Sequence, residues 1–291
     1  MTEIAQIILD GFSSGAGYVI IALGFSLIFG VAGVLNVAHA DFYIVGAYAS
    51  LFVLTTFTAN LALGLATALV TGVGVGAIYY FLVVRRVGNR DQLAAFVASL
   101  GLSMFLQNVI ARIAGPDQKA FPTLFARETY TVAGVVLPLS QLVIIVAALL
   151  LSVGLVAILR FSTLGREIRA VAGNSFVAGA MGVDVRRTML LAVVLSCVVA
   201  TVGGLVIGNA QASVTPFLGN SLSVKMFIVV LVAGAGSIGG AAIVGFALGL
   251  LESFTIAYVS SAYQDIVGLL ALLTVLLLRP SGVFGRATRV G

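Results

Sequence analysis

Arg186-Arg187-Thr188-Met189-Leu190-Leu191-Ala192-Val193-Val194-Leu195-Ser196-Cys197-Val198-Val199-Ala200 opens a run with no charged residue from Thr188 to Val224. That run is longer than the roughly 20 apolar residues that cross a bilayer as a helix. Residues 92–111 and 129–159 are also uncharged. Eleven of the fifteen basic residues fall in three clusters: Arg85, Arg86 and Arg90; Arg160, Arg166, Arg169, Arg186 and Arg187; and Arg279, Arg286 and Arg289. Lys and Arg collect in cytoplasmic loops, so the clusters mark one side of a membrane and the crossings can be counted from them.

Composition agrees. Hydrophobic residues make up 61% of the chain and charged residues 9%, against about 25% charged in soluble domains. A soluble fold is excluded. The basic excess belongs to loops, so it gives no support to nucleic-acid binding. The single cysteine, Cys197, excludes an internal disulfide and suits a small packed side chain. One His and one Cys do not make a metal site. The first ten residues carry Glu3 and Asp10 but no Lys or Arg. A cleaved leader needs a positive start, so the first apolar run is expected to stay, with its N-terminus outside.

Crossings are predicted at residues 7–29, 36–57, 61–84, 92–111, 139–159, 188–211 and 266–278, with Asp91 a candidate cap for the fourth. Residues 115–137 hold Pro116, Pro122 and balanced charge (Asp117, Lys119, Arg127, Glu128), and suit an external loop. Both Arg187 and Arg279 belong on the cytoplasmic side. Residues 222–259 therefore start and end outside, as a hairpin or a re-entrant element bent near Gly234, Gly236, Gly239 and Gly240. Those glycines serve either a backbone break or close helix packing; parity favours the break. The expectation is an all-α polytopic membrane protein with about eight spanning helices plus broken or re-entrant elements. It forms a single transmembrane domain over residues 1–291, with residues 161–187 a cytoplasmic loop inside it.

A second irregularity places Asn36, His39 and Asp41 between two apolar runs. Ionisable residues at membrane depth are functional candidates, and discontinuous helices surround the paths of transporters. At the interface, however, Asn36 or Asp41 would simply cap the next helix. Capping and interfacial solvation are the expected roles of His39 and Asp41. Asn36, His39, Asp41, Gly234, Gly236, Gly239 and Gly240 form the candidate translocation-path set. Asp41, Lys225, Glu252 and Asp265 map near predicted ends or bends, with no acidic pair evident. That argues against an ion-coupled transporter.

The stretch Ala22-Leu-Gly-Phe-Ser-Leu-Ile-Phe-Gly-Val-Ala-Gly-Val-Leu-Asn-Val-Ala-His-Ala-Asp-Phe-Tyr-Ile-Val-Gly-Ala-Tyr48 resembles a block of the ABC-importer permeases for branched-chain amino acids, in the shorter of their two types. Glycine is usual in that family where this chain has Ala40. The resemblance continues through Leu164-Gly165-Arg166-Glu-Ile-Arg169-Ala170-Val-Ala-Gly-Asn174, Met181-Gly182-Val183, Val232-Ala-Gly-Ala-Gly236-Ser-Ile-Gly239-Gly240 and Leu278-Arg-Pro-Ser-Gly-Val-Phe-Gly285. It covers essentially the whole chain and is far more specific for the family than for the substrate, because permeases for urea and short-chain amides look alike here.

The resemblance implies the ABC importer permease fold in a bacterial inner membrane. It also implies a second permease subunit, two cytoplasmic ATPase subunits and an external solute-binding protein. The chain has no G-x-x-x-x-G-K-[ST] phosphate loop, so ATP and Mg would be bound by partner subunits and this subunit is not itself an enzyme. Within residues 161–187, Leu164, Ile168, Val171 and Ala172 share one helical face. Gly165, Arg166, Arg169, Asn174 and Gly182 complete the candidate ATPase-coupling set. Gly173 and Gly179 are expected to interrupt the helix, and Asp184 to cap the next one. In the resembling family this region docks on the ATPase, so the Leu164, Ile168 and Val171 stripe is expected to face it.

The crossing order has a direct test. Gly88→Cys and Ala126→Cys, each in a Cys197→Ser background, should label from opposite sides with a membrane-impermeant thiol reagent. Labelling of both from the same side contradicts the order.

Overall fold

The protein is seen in a computed structural model that describes residues 2–87, 92–123, 128–132 and 134–285. The Asp91 cap and the basic residues Arg90, Arg127, Arg286 and Arg289 lie outside the described residues. The helices are α1 (Thr2–Ala32), α2 (His39–Thr56), α3 (Leu61–Tyr79), α4 (Arg85–Val87), α5 (Gln92–Ala114), α6 (Leu139–Phe161), α7 (Thr163–Gly173), α8 (Ser175–Ala180), α9 (Val185–Gln211), α10 (Leu218–Ala233), α11 (Ile238–Tyr258) and α12 (Gln264–Leu278). A π-helical turn, Tyr80–Val84, joins α3 to α4.

Among the described residues, seven helical segments are long and apolar enough to cross a membrane. The sixteen-residue α10 is a shorter apolar helix, and the eighteen-residue α2 is likewise short for a full crossing. The chain is an all-α polytopic membrane protein. The 222–259 region is a hairpin, α10 and α11, rather than one span. Its bend holds Gly234 at φ 95° and Gly236 at φ 76°, a left-handed backbone open to glycine at little cost. Gly236 seats on Gly30, near the end of α1, and Gly234 lies under the segment that follows Arg279. The backbone N–H groups of Val283 and Phe284 close this turn by donating to the carbonyls of Val232 and Ala233. The glycine-rich turn is thus a surface turn on the arginine-bearing face. Gly239 has open space around it, and Gly240 packs against Phe284.

At the opposite face the loop expected after α5 carries two small strand pairs. Strand β2 (Thr129–Val132) pairs with β3 (Val135–Pro138), and β1 (Lys119–Ala120) pairs with β4 (Ser213–Val214). Strands form here because the backbone has left the apolar layer and no longer has to be helical to satisfy itself.

α1 is the axis of the molecule. Its most apolar window is 78% buried by the rest of the chain, against 22% for the α5 and α6 windows and 6% for the last span. Burial of that degree requires close neighbours, and glycine provides them. Gly11 and Gly15 on α1 face Gly245 and Gly249 on α11, two G-x-x-x-G stripes in contact. A Cβ on Gly249 would lie 2.3 Å from the Gly15 nitrogen. Small residues of this kind drive helix association where no hydrophobic force operates between helices in lipid. Side-chain bonds to neighbouring backbones add to it: Ser253 donates to the Ile7 carbonyl, Ser196 to Gly24, and Thr201 to Ala68.

Gly249→Leu should therefore force α1 and α11 apart and lower the detergent-solution melting temperature, an overpacking cost of about 1–3 kcal/mol or more. Gly154→Ala, at a position facing open space, should leave melting unchanged. Equal melting of both variants contradicts the stripe.

Candidate functional site

α1 ends at Ala32, with Gly33 at φ 63°, and the chain runs unwound until α2 begins at His39. This gap sits deep in the protein. A Cβ on Gly24 would lie 2.6 Å from His39 Nε2 and 2.8 Å from the Ser196 carbonyl oxygen, so His39 is level with the interior of both α1 and α9. Non-helical backbone at such depth needs internal partners, and serines from two other helices supply them. Ser99 of α5 accepts from the Val37 N–H at 3.1 Å, and Ser223 of α10 donates to the Val37 carbonyl at 3.4 Å.

The capping role expected of Asn36 and Asp41 is not what the geometry gives. Ala38 occupies the cap position of α2 with no side-chain cap bond. Asn36, His39 and Asp41 are each fully buried. Both ring nitrogens of His39 and both amide atoms of Asn36 lack hydrogen-bond partners. His39 instead packs tilted against the Phe25 ring and edge-to-face with Phe42. Interfacial solvation is likewise excluded for this trio, because the residues lie at depth.

Asp41 has different surroundings. Its Oδ1 accepts from Gln107 Nε2 of α5 at 2.9 Å. The same nitrogen donates to Asn220 Oδ1 at 2.9 Å and Ser103 Oγ at 3.3 Å. Ser103 also flanks the Asp41 carboxylate. Oδ2 of Asp41 is buried without a partner in bonding geometry. The carboxylate lies in the first turn of α2 and touches the first turn of α10, where a Cβ on Gly219 would come 2.3 Å from Oδ1. Two helix N-termini, each with positive partial charge, converge on it. Asn220 is exposed, so the cluster reaches the surface of this chain. The candidate path set joined Asn36, His39 and Asp41 with the glycines of residues 234–240. Gly236 packs on Gly30 instead, and the start of α10 occupies the place beside Asp41. The break at residues 212–217 was not foreseen. Its one signal is Pro216 following an uncharged, serine-bearing run.

A second polar group joins four helical elements. Lys225 of α10 forms an ion pair with Glu252 of α11 and another, at 2.7 Å, with Asp265 at the start of α12. Tyr18 of α1 donates to Glu252 Oε2 at 2.6 Å, as does Gln264 at 2.7 Å. The expectation that these charges map near helix ends with no acidic pair is corrected here: Lys225 and Glu252 lie inside α10 and α11, and Glu252 and Asp265 share Lys225. Lys225 and Glu252 are 7% and 1% exposed, and such burial is sustainable only in pairs. Lone charges in otherwise neutral helices were the legible signal.

On the arginine-bearing face, residues 161–187 fold as α7 and α8. Ser162 caps α7 by accepting from the Gly165 N–H, and Asn174 caps α8 through the Phe176 and Val177 N–H groups. Only glycine fits at 165, since a Cβ would lie 2.3 Å from the Leu159 carbonyl oxygen. Gly173 ends α7 as expected, whereas Gly179 lies inside α8. Gly182 takes φ 88°, and Asp184 caps α9. The Leu164, Ile168 and Val171 stripe does not face outward. Ile168 and Val171 are each 3% exposed within this chain's own core, and Leu164 packs on that core. The apolar residues facing out are Phe176 (84% exposed), Val177 (51%) and Met181 (81%), and Arg166 and Arg169 of α7 and Arg186 and Arg187 of α9 are exposed as well.

Comparison with known proteins gives the family. A family model described as branched-chain amino acid transport system / permease component matches residues 7–276. The high-affinity branched-chain amino acid transport system permease protein LivH of Escherichia coli K12 is 30% identical, over 97% of this chain and 95% of its own length. The corresponding BraD protein of Pseudomonas aeruginosa is 29% identical over the same shares. A probable LivH of Methanocaldococcus jannaschii is 30% identical over 92% of this chain and 88% of its own. No solved structure matches. With its broken helices, buried polar gap and match along nearly its whole length, the chain belongs to the family of branched-chain amino acid transport permease components.

Proposed function

We propose that this chain is the membrane-spanning permease subunit of an ATP-driven ABC importer that moves branched-chain or other hydrophobic amino acids handed over by an external solute-binding protein. It sits in a bacterial inner membrane with its N-terminus outside and its C-terminus in the cytoplasm. It pairs with a second, homologous permease subunit and two ATPase subunits, which bind ATP and Mg.

Phe176, Val177 and Met181 carry this reading. They are exposed apolar residues on and just after a capped short helix, with exposed arginines on the flanking α7 and α9, on the face that charge assigns to the cytoplasm. An ATPase surface with an apolar groove and an acidic rim matches that chemistry. α7 supplies the lever. Ile168 and Val171 lock it into the core beside α1, α6 and α9, and Glu167 accepts from Thr188 at the start of α9. A push on α8 therefore moves the inner ends of these helices as one body. α1 leads directly to the Gly33–Asp41 gap, so closure of the ATPases would be felt where the path residues are. Asn36, His39 and Asp41 keep their place in the proposed path. Gly234, Gly236, Gly239 and Gly240 are better explained as the turn that brings α10 back as α11.

The complete complex in proteoliposomes should take up leucine only with binding protein present and ATP hydrolysed; uptake without ATP, driven by a proton or sodium gradient, contradicts the proposal. Phe176→Asp and Met181→Asp should each weaken ATPase co-purification by about 2 kcal/mol, the scale of a disrupted interface hot spot, while the permease keeps its melting temperature. Ile168→Asp should do the reverse and lower permease stability itself, because it buries a charge in this chain's core. Normal ATPase capture by both outward-facing variants contradicts the docking patch.

A further inference from the structure

We infer that Asp41, Ser103 and Asn220 form an oxygen cage for the nitrogen head of the transported solute, and that the Gln107 amide fills this cage in the closed path. The inference rests on the transport reading above and adds to it a recognition site and a chemical class.

Three acceptors, Asp41 Oδ1, Asn220 Oδ1 and Ser103 Oγ, surround the single nitrogen Nε2 of Gln107 at 2.9, 2.9 and 3.3 Å. A carboxamide nitrogen carries two hydrogens, so the three acceptors cannot all be satisfied at once. A fourth acceptor, Asp41 Oδ2, is fully buried and has no partner in bonding geometry, with the Ser103 hydroxyl, itself a donor as well, beside the carboxylate. Among the described residues, no Lys or Arg pairs with Asp41. The site therefore holds more acceptor capacity, and more negative charge, than its present occupant can use. A primary ammonium has three hydrogens and a full positive charge, and matches both surpluses. The Gln107 amide is itself evidence that a neutral carboxamide head fits the same space.

Location supports a transient occupant. The cage lies where α2 and α10 both begin, with the unwound residues 34–38 beneath it held by Ser99 and Ser223. Asn220 is exposed on the outer rim of the cage, whereas Asp41 is fully buried at its base. A solute head would enter past Asn220, displace the Gln107 amide and meet Asp41. The apolar side chain of the solute would remain toward the exposed Met104 and Phe105 on the same helix as Gln107. Displacement costs little, because the leaving amide gives up bonds that the entering N–H groups replace.

The test uses the whole complex in proteoliposomes, with radiolabelled L-leucine and acetamide as probes and assembly checked by co-purification. Asn220→Ala changes an exposed side chain and should fold; Asp41→Asn keeps the shape of the cage and removes its charge. Both should lower leucine uptake by about tenfold or more, as loss of a bond to a charged group would. Wild-type uptake of acetamide rather than leucine, lost in Asn220→Ala, keeps the cage but makes its guest a carboxamide and overturns the amino-acid reading. Unaltered uptake in both assembled variants overturns the cage. So does leucine uptake that requires sodium, since the free oxygens would then hold a metal cation. An independent arm does not need transport. In a Cys197→Ser background, Asn220→Cys should react faster with aminoethyl methanethiosulfonate, which bears an ammonium, than with neutral methyl methanethiosulfonate. Adding Asp41→Asn should abolish the preference, and a preference that survives this change overturns the assignment even in a complex that moves no solute.

Discussion

Inside a bilayer every backbone N–H and C=O needs a partner within the protein, and that requirement governs where this chain can afford to be irregular. It is irregular at depth in one region only among the described residues, where the link from α1 to α2 meets the start of α10. There Ser99 and Ser223 take the hydrogen-bonding places that a helix would have filled. Elsewhere the turns lie at the faces. The Gly234–Gly236 bend is pinned by the backbone of the C-terminal segment, and the connections at the opposite face pair as short strands. Irregular backbone in the interior is expensive, and its concentration around Asp41 is the physical reason for looking there for function.

The same constraint makes close packing necessary. Serines reach unwound backbone only if helices nearly touch, and the glycines of α1 and α11 allow this along the axis of the fold. α3 approaches α9 by the same means, Gly72 and Gly76 lying against Val198 and Val194. The tight centre contrasts with the outer helices, whose exposed leucines and phenylalanines are left to lipid or to other subunits. A permease built this way has a stiff core and a compliant periphery. Charge strengthens the stiff part on the side away from the Gly234–Gly236 turn, where Lys225 holds Glu252 and Asp265 together across α10, α11 and α12, with Tyr18 adding α1.

Much of this was legible because membrane sequences report burial and sidedness separately. Uncharged runs gave the long apolar helices, and parity counted from the arginine clusters gave the α10–α11 hairpin. The capping residue Asp184 and the helical spacing of Leu164, Ile168 and Val171 gave the start of α9 and α7, whereas α8, capped by Asn174, stands where only a turn was expected. The direction of that stripe was not legible. An apolar face on a loop helix reads identically whether it meets a partner or its own core, and only the fold tells that Gly165 lets α7 lie back against α6. The depth of His39 was hidden for a related reason. Sequence position places it at a helix boundary, but α2 starts well inside the layer, so a boundary residue becomes a buried one. The pairing of Asp41 with Gln107 and of Lys225 with Glu252 joins residues remote in sequence, and periodicity carries no information about such pairs.

These features also explain how one chain can serve both stiffness and movement. α7 is keyed into the core through Ile168 and Val171, so a displacement of α8 cannot be absorbed locally and is passed to the helices around it. α1 receives that displacement along its length but loses helical continuity at Gly33. Beyond that residue, position is set by a few hydrogen bonds from Ser99, Ser223 and Gln107 rather than by a continuous rod. Bonds of that kind exchange partners at small net cost, whereas the glycine-packed contacts of α1 with α11 cannot slide without steric overlap. Motion is therefore directed to the polar gap and away from the packed axis, which puts the softest part of the structure at the residues with unsatisfied hydrogen-bonding capacity.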